Sequence, residues 1–210
     1  MTIALFGATG QTGREVLRKL LGKGYTVKVL VRDPLKLKMQ NDALEITKGD
    51  VLNPSDVAAV VKGSKAVISV FGHVKGSPKE LQTNGRRNIV NAMKAEGIDR
   101  IISLSGVGLP FPSKDQPKVP DHLIRLIMKI FVPKVLNDAI SHAEVLKKSG
   151  LKWTIVRGPR LTTEPEKGSY RVGWVGVNAS TSIGRADLAD FIVKQVDQTE
   201  YIEQMPFVTY

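Results

Sequence analysis

Apolar residues recur along this chain with two alternating periods. Thr2-Ile-Ala-Leu-Phe6 is a short, nearly unbroken apolar run, and a helical period follows it with Val16, Leu17, Leu20 and Leu21 on one face. The run predicts a strand over 2–7. The periodic segment predicts a helix over 11–23, closed by Gly22 and Gly24. Thr26–Val31 alternates and is β-branched, as a second strand requires, and Leu44–Thr47 reads as a third. A short helix over Ser55–Val61 begins after Pro54, with Ser55 as its expected N-cap. Ala66–Val70 is apolar throughout, the mark of a parallel strand buried on both faces.

The same alternation continues downstream. A helix is expected from Pro78 to Glu96 and a strand over Arg100–Leu104. A Pro- and Lys-rich loop spans Leu109–Pro120, and a long helical region covers Asp121–Ser149 with a bend near Pro133. Lys152–Val156 reads as a sixth strand. Beyond it, Tyr170–Val177 alternates like a strand, Arg185–Gln195 is helical and Met205–Thr209 is a final short strand. Strands alternating with helices at this spacing predict an α/β fold. The expected form is one domain over 1–210: a doubly wound, mainly parallel Rossmann sheet with helices on both faces. The segments 109–140 and 160–182 would build a small lobe on the substrate side, beyond the carboxyl ends of the strands.

Charge modifies this picture only slightly. Lys and Arg number 31 against 20 Asp and Glu, a formal net charge of +11. The basic residues are spread out, with no run of five or more and no interleaved aromatics. A basic solvated surface is expected rather than a nucleic-acid interface, and part of the excess would attract a polyanionic cofactor. There is no cysteine, which excludes disulfides and thiolate chemistry. No stretch approaches the roughly 18 uncharged apolar residues of a membrane span. Met1 leads directly into the first strand without a basic leader, so a cytoplasmic protein is expected. The segment 123–136 is basic and amphipathic. It reads as a packed helix or substrate lid in preference to a membrane-surface helix, and a homodimer face is a further candidate.

The chemistry centres on Gly7-Ala-Thr9-Gly10-Gln11-Thr12-Gly13, between the first strand and the first helix. In that setting the first glycine allows a tight turn, the second lets a pyrophosphate approach the backbone, and the third lets the helix pack on the strand. The helix N-terminus would face phosphate. Arg32 ends strand two, where an arginine suits the 2′-phosphate of NADP(H), favoured here over NAD(H). Asp33 follows and keeps NAD(H) open, while Lys36 and Lys38 are candidates for added charge at the same phosphate. Asp50 and Val51 end strand three, where adenine would lie, and Phe71 and Gly72 end strand four beside the switch point.

Ser105 ends strand five and is a candidate to bond the nicotinamide amide or polarise a substrate carbonyl. Arg160 follows Pro159 and is a candidate to pair with a substrate anion. His73, His122 and His142 have no zinc-site spacing, and no metal is expected. His142 on the long helix is the candidate proton donor. No Gly-x-Ser-x-Gly elbow occurs, which removes serine-hydrolase chemistry.

Several motifs together resemble the atypical short-chain dehydrogenase/reductases, in the branch similar to NmrA-like proteins and to flavin reductase/biliverdin-IXβ reductase. They are Gly7–Gly13, Val31-Arg-Asp33, Gly49-Asp-Val51, Asn84-Gly-x-x-Asn-Ile-Val90, Ser149–Arg157 and Arg185–Ala189. The resemblance implies that Thr9, Gly10, Gln11 and Thr12 line the phosphates, Arg32 the 2′-phosphate, Asp50 and Val51 the adenine, and Ser105 and Pro159 the nicotinamide. It implies an NADPH-dependent reductase of a planar conjugated acceptor, with a non-catalytic NAD(P)-binding sensor or assembly factor as the alternative. The Tyr-x-x-x-Lys pair usual among short-chain dehydrogenases is absent, so ordinary alcohol–ketone dehydrogenation is not expected. Members like flavin reductase lack that pair as well. They often carry histidine after the strand-six proline, where this chain has Arg160.

Overall fold

A computed structural model describes residues 1–177 and 179–210; Asn178, within the 160–182 segment, lies outside the described residues. The strands β1 (Thr2–Phe6), β2 (Thr26–Val31), β3 (Leu44–Lys48), β4 (Ala66–Ser69), β5 (Arg100–Gly106) and β6 (Lys152–Gly158) form the parallel body of the sheet. The edge is completed by β10 (Phe207–Thr209), parallel to β6, and β8 (Arg171–Gly173), antiparallel to β10. The eight-stranded order is β3-β2-β1-β4-β5-β6-β10-β8. The chain therefore reverses direction across the sheet between β1 and β4, and the crevice beyond their carboxyl ends is where such sheets bind ligands.

Alternation within each strand serves two cores. Ile3 and Leu5 of β1 point to one side, with Val27 and Val29 of β2; Ala4 and Phe6 point to the other, with Leu30. The first side is covered by α1 (Gln11–Gly22) and α6 (Arg185–Lys194), which supply Val16, Leu17, Leu20, Leu188 and Ile192. The second is covered by α2 (Pro54–Val61), α3 (Leu81–Ala95) and α5 (Pro133–Lys147), which supply Val57, Ile89, Met93, Ala143 and Leu146. This is the doubly wound α/β arrangement expected.

Local departures have local causes. The 121–149 helical region is two helices, α4 (Val119–Phe131) and α5, separated at Val132 with φ −135°. Pro133 has no N–H to continue α4 but suits the first position of α5. Helix α2 is capped by Asn53 rather than Ser55: the Ser55 amide donates to Asn53 Oδ1 at 3.0 Å. The expected strand over 170–177 shortens to β8, followed by an isolated Trp174–Val177 bridge. A separate parallel pair, β7 (Arg160–Thr162) with β9 (Ser182–Gly184), forms where no element was expected. No helix among the described residues is long and apolar enough to cross a membrane.

Candidate functional site

The glycine turn is fixed by backbone contact. Gly7 has φ +96°, and a Cβ there would lie 2.6 Å from Phe71 N, so β1 and β4 meet at this point only without a side chain. The Gly10 amide donates to Gly7 O at 3.1 Å, closing the turn. Gly10 is the N-cap of α1 and brings no side-chain cap, and no acidic residue stands in the first turn. The N–H groups at the start of α1 are therefore left for an anion. Gln11 is exposed at the start of α1, while Thr12 and Gly13 are buried against the turn.

A cavity of about 180 Å³ opens beside the turn, lined by Gly7, Thr9, Gly10, Arg32, Asp50, Val51, Phe71 and Gly72 among others. Residues from four separate strand ends are thus brought together. Arg32 is exposed and has no hydrogen bond or ion pair among the described residues. Its neighbour Asp33 is differently occupied: Oδ1 accepts from the Leu35 amide at 3.1 Å and Oδ2 lies 3.9 Å from Lys36 Nζ. Arg14 extends from α1 to the Lys36 carbonyl at 3.1 Å, adding a cation beside the loop. Asp50 lines the cavity, yet its Oδ1 accepts from the Leu52 amide at 2.9 Å and so holds a turn as well.

The wall behind this cavity explains the Asn84-Gly-x-x-Asn motif. A Cβ on Gly85 would meet Phe71 Cζ at 2.8 Å and Val51 Cγ2 at 3.0 Å, so glycine leaves room for both. Asn88 Nδ2 donates to Val51 O at 3.0 Å. Arg86 is buried, donates to Ser69 Oγ and stacks on Phe71 at 4.8 Å. Burial pushes its pKa down to about 9.

Sharing Val70, Phe71 and Gly72 with the first cavity is a second, of about 320 Å³. Its lining includes His73, Gln82, Ser105, Gly106, Leu136 and Pro159. Ser105 Oγ is buried there with no hydrogen-bond partner among the described residues. A third cavity of about 580 Å³ continues past Gly106, Gly158 and Pro159 to Arg160 and Lys118. The three cavities form a cleft along the carboxyl edge of the sheet.

Met128 of α4 lines the second and third cavities, so one side of this helix borders the cleft. None of its residues is buried, and Leu123, Leu126, Ile130 and Phe131 are exposed. The preceding loop is anchored by a pair that sequence reading did not single out as a pair. Arg157 at the end of β6 donates to both oxygens of Asp115, each at 2.7 Å, and to Leu109 O and Met205 O. Asp115 also accepts from the amides of Phe111 and Val175.

His142 is placed elsewhere. It lies on the inner face of α5, fully buried, and neither ring nitrogen has a hydrogen-bond partner among the described residues. Burial, and then the positive charge of Arg86, push its pKa down to about 3, so the ring is neutral and off the cleft lining. The cleft's histidine is His73, whose Nε2 lies 2.6 Å from Asp138 Oδ2. Asp138 accepts as well from the amides of Gln82 and Thr83 and from the Thr83 hydroxyl. Burial raises this carboxyl's pKa, but the hydrogen bonds outweigh burial and hold it below its usual range. The position of His73 directly after Phe71-Gly72 was the available signal; nothing in the spacing joined it to Asp138.

A tyrosine–lysine contact does occur, with Lys194 Nζ donating to Tyr170 Oη at 3.2 Å. It lies against α6, and burial and Asp190 push the Tyr170 pKa up to about 12, the wrong direction for a proton donor. No group of three or more potential metal ligands occurs among the described residues.

These residues fit a dinucleotide on two structural counts. The start of α1 offers uncapped N–H groups above a side-chain-free turn, and Ser105 Oγ is a buried polar atom without a partner further along the cleft. Comparison with known proteins agrees. Residues 7–199 match a family model described as NAD(P)H-binding. An uncharacterised chloroplastic protein of Arabidopsis thaliana is 30% identical over 204 residues, covering 92% of this chain and 71% of that protein. The photosystem II assembly factor Ycf39 of Cyanophora paradoxa is 27% identical over 161 residues, covering 75% of this chain and 44% of that protein. Among solved structures, a short-chain dehydrogenase/reductase from Veillonella parvula in complex with NADP has the same fold. Its TM-score is 0.81 at 18% identity, covering 100% of this chain and 94% of that one.

Proposed function

The chain belongs to the NAD(P)H-binding family, and from that premise we propose that it is an NADPH-dependent reductase of a planar conjugated acceptor such as a flavin or a quinone. The observation that carries this reading is the cavity of about 320 Å³ that continues from the glycine turn, with Ser105 Oγ buried in it and unpartnered. Its other walls, including Leu104, Leu109, Leu136 and Leu161, suit a flat apolar ring system.

When bound, the dinucleotide supplies a hydride. The chain's own residues bind and orient. The first turn of α1 holds the pyrophosphate through its free amides. Arg32 holds the 2′-phosphate, while Asp33 Oδ1 accepts from the Leu35 amide. Asp50, Val51 and Phe71 bound the adenine, and Ser105 and Pro159 bound the nicotinamide. Ser105 Oγ orients the nicotinamide amide or the acceptor carbonyl, and Arg160 meets an anionic group on the acceptor. The segments 109–140 and 160–182 act as the small lobe that shields the acceptor from water. Rate enhancement then comes mainly from positioning.

The decisive experiment mixes the protein with NADPH and FMN, FAD, quinones or linear tetrapyrroles and follows the nicotinamide absorbance. Oxidation above buffer with at least one acceptor is expected. Measurable NADPH binding with no oxidation by any acceptor would sink the reductase reading. Cofactor choice has its own test. Arg32→Ala should weaken NADPH binding roughly 10- to 100-fold, the equivalent of one charge-assisted hydrogen bond of about 1.5–3 kcal/mol. NADH binding should change little, and equal losses for both cofactors would remove the 2′-phosphate role from Arg32.

A second reading is a non-catalytic NAD(P)-binding sensor or assembly factor. It is favoured by the lack of a Tyr–Lys pair in the cleft lining and by the likeness to an assembly factor over 75% of this chain. It predicts tight NADPH binding without turnover.

A further inference from the structure

We infer that His73 is the proton donor of this cleft, held by Asp138 as its positioning residue, so that the acceptor's proton comes from the protein and not directly from water. This deepens the reductase reading and rests on it. His73 stands on the loop after β4 and lines the same cavity as Ser105 and Pro159. Its side chain is 13% exposed and that of Asp138 only 1%. Asp138 arrives from α5, 65 residues later in the chain, and its bond to Nε2 measures 2.6 Å.

The bonding around Asp138 settles the state of the ring. Oδ1 accepts from the Thr83 amide and hydroxyl, and Oδ2 from the Gln82 amide. The two amides can only donate, and these hydrogen bonds hold the Asp138 carboxyl below its usual range, so it is ionised and Nε2 carries the hydrogen that faces it. Nδ1 is then the ring atom with no protein partner. A buried carboxylate that fixes one nitrogen selects the tautomer and leaves the other nitrogen to exchange a proton. The charged and titratable neighbours are few. Arg86 on α3 and His142 on α5 lie buried near Asp138, Lys75, Lys79 and Glu80 stand exposed on the loop of His73, and no other titratable side chain lines this cavity among the described residues.

Reduction of a quinone- or flavin-like acceptor adds one hydride and one proton. A bound dinucleotide would supply the hydride. The proton leaves Nδ1 of the His73 imidazolium: the N–H bond breaks and an O–H or N–H bond forms on the acceptor. The ring is left neutral, with Nε2–H still donated to Asp138, and regains its proton from water after product leaves. Loop pinning, the competing role for this pair, would need none of this chemistry.

The test uses the full chain with NADPH and the best acceptor of the panel. His73→Gln should bind NADPH as the wild type does, while turnover falls roughly 100- to 10,000-fold. His73→Ala should be equally slow and should recover part of its rate on adding imidazole, which a loop-pinning role would not allow. Wild-type turnover by His73→Gln would overturn the proton-donor role and leave the reductase reading standing. If the wild type turns over no acceptor, the reductase reading falls first and takes this donor role with it. Ring ¹⁵N spectra of the wild type supply a readout independent of turnover. They should show the neutral His73 ring protonated at Nε2, and protonation at Nδ1 instead would overturn the assignment whether or not either variant folds.

Discussion

Gly13→Ala should weaken NADPH binding 100-fold or more and lower the melting temperature. The added Cβ would fall 2.0 Å from Gly7 O, 2.7 Å from Gly7 C and 3.0 Å from Ala8 Cα. All three are backbone atoms, so no side chain can swing aside to make room. The helix must lift from the strand or the turn must open, and either movement disrupts the Gly10 amide bond to Gly7 O. Overpacking of this kind costs about 1–3 kcal/mol of stability. The binding loss should be larger in effect, because the turn and the first amides of α1 bind phosphate only as one surface; a rise in Kd of 100-fold or more, about 2.7 kcal/mol, is expected. Gly22→Ala is the control. Nothing lies within 4 Å of its would-be Cβ, so binding should be unchanged. Calorimetric titration with NADPH and a thermal melt check both variants, and wild-type affinity in Gly13→Ala would refute the close-packing role.

The second large effect is expected at Asp115→Ala. Its partner Arg157 is fully buried and makes a two-pronged bond to this carboxylate. Removing one member of a buried ion pair costs about 3–5 kcal/mol, because the other charge is left without compensation. The same change orphans the amides of Phe111 and Val175. Pairing Asp115→Leu with Arg157→Met should therefore recover only part of the loss. It removes the buried charge but not the two stranded amides. Denaturant unfolding gives the stability change, and limited proteolysis should show earlier cutting within 109–118. A loss below about 1 kcal/mol would mean that the pair does not hold the loop to β6.

Both variants probe features with unequal visibility in the sequence. The glycine turn was legible because strand, turn and helix are consecutive, and the positive φ of Gly7 and the contact of Gly13 with Gly7 both arise within that turn. The parallel sheet was legible for a similar reason. Continuous apolar runs such as Ala66–Val70 suit only strands covered on both faces. The Arg157–Asp115 pair was not legible, since its members lie 42 residues apart and neither belongs to a local pattern. The break at Val132 was half visible: Pro133 marked a bend, but its fit to the first position of α5 made two helices of one.

The candidate proton donor shows the same division more sharply. His142 lies on the long helix as expected, but a helix has an inner face as well as a cleft face, and the residue's phase put it inside. His73 stood beside the recognised switch-point residues without a visible partner, and folding brought Asp138 to it from another helix. By itself, the sequence determined the α/β class, the order of strands and helices, and the glycine turn, because each follows from side-chain periodicity or backbone sterics within a few residues. Only the tertiary structure decided that Asp33 is spent on a cap while Arg32 is left open, that Ser105 Oγ is buried without a partner, and which histidine faces the cleft. Those outcomes depend on which distant donors, acceptors and apolar surfaces meet, and local spacing carries no record of that.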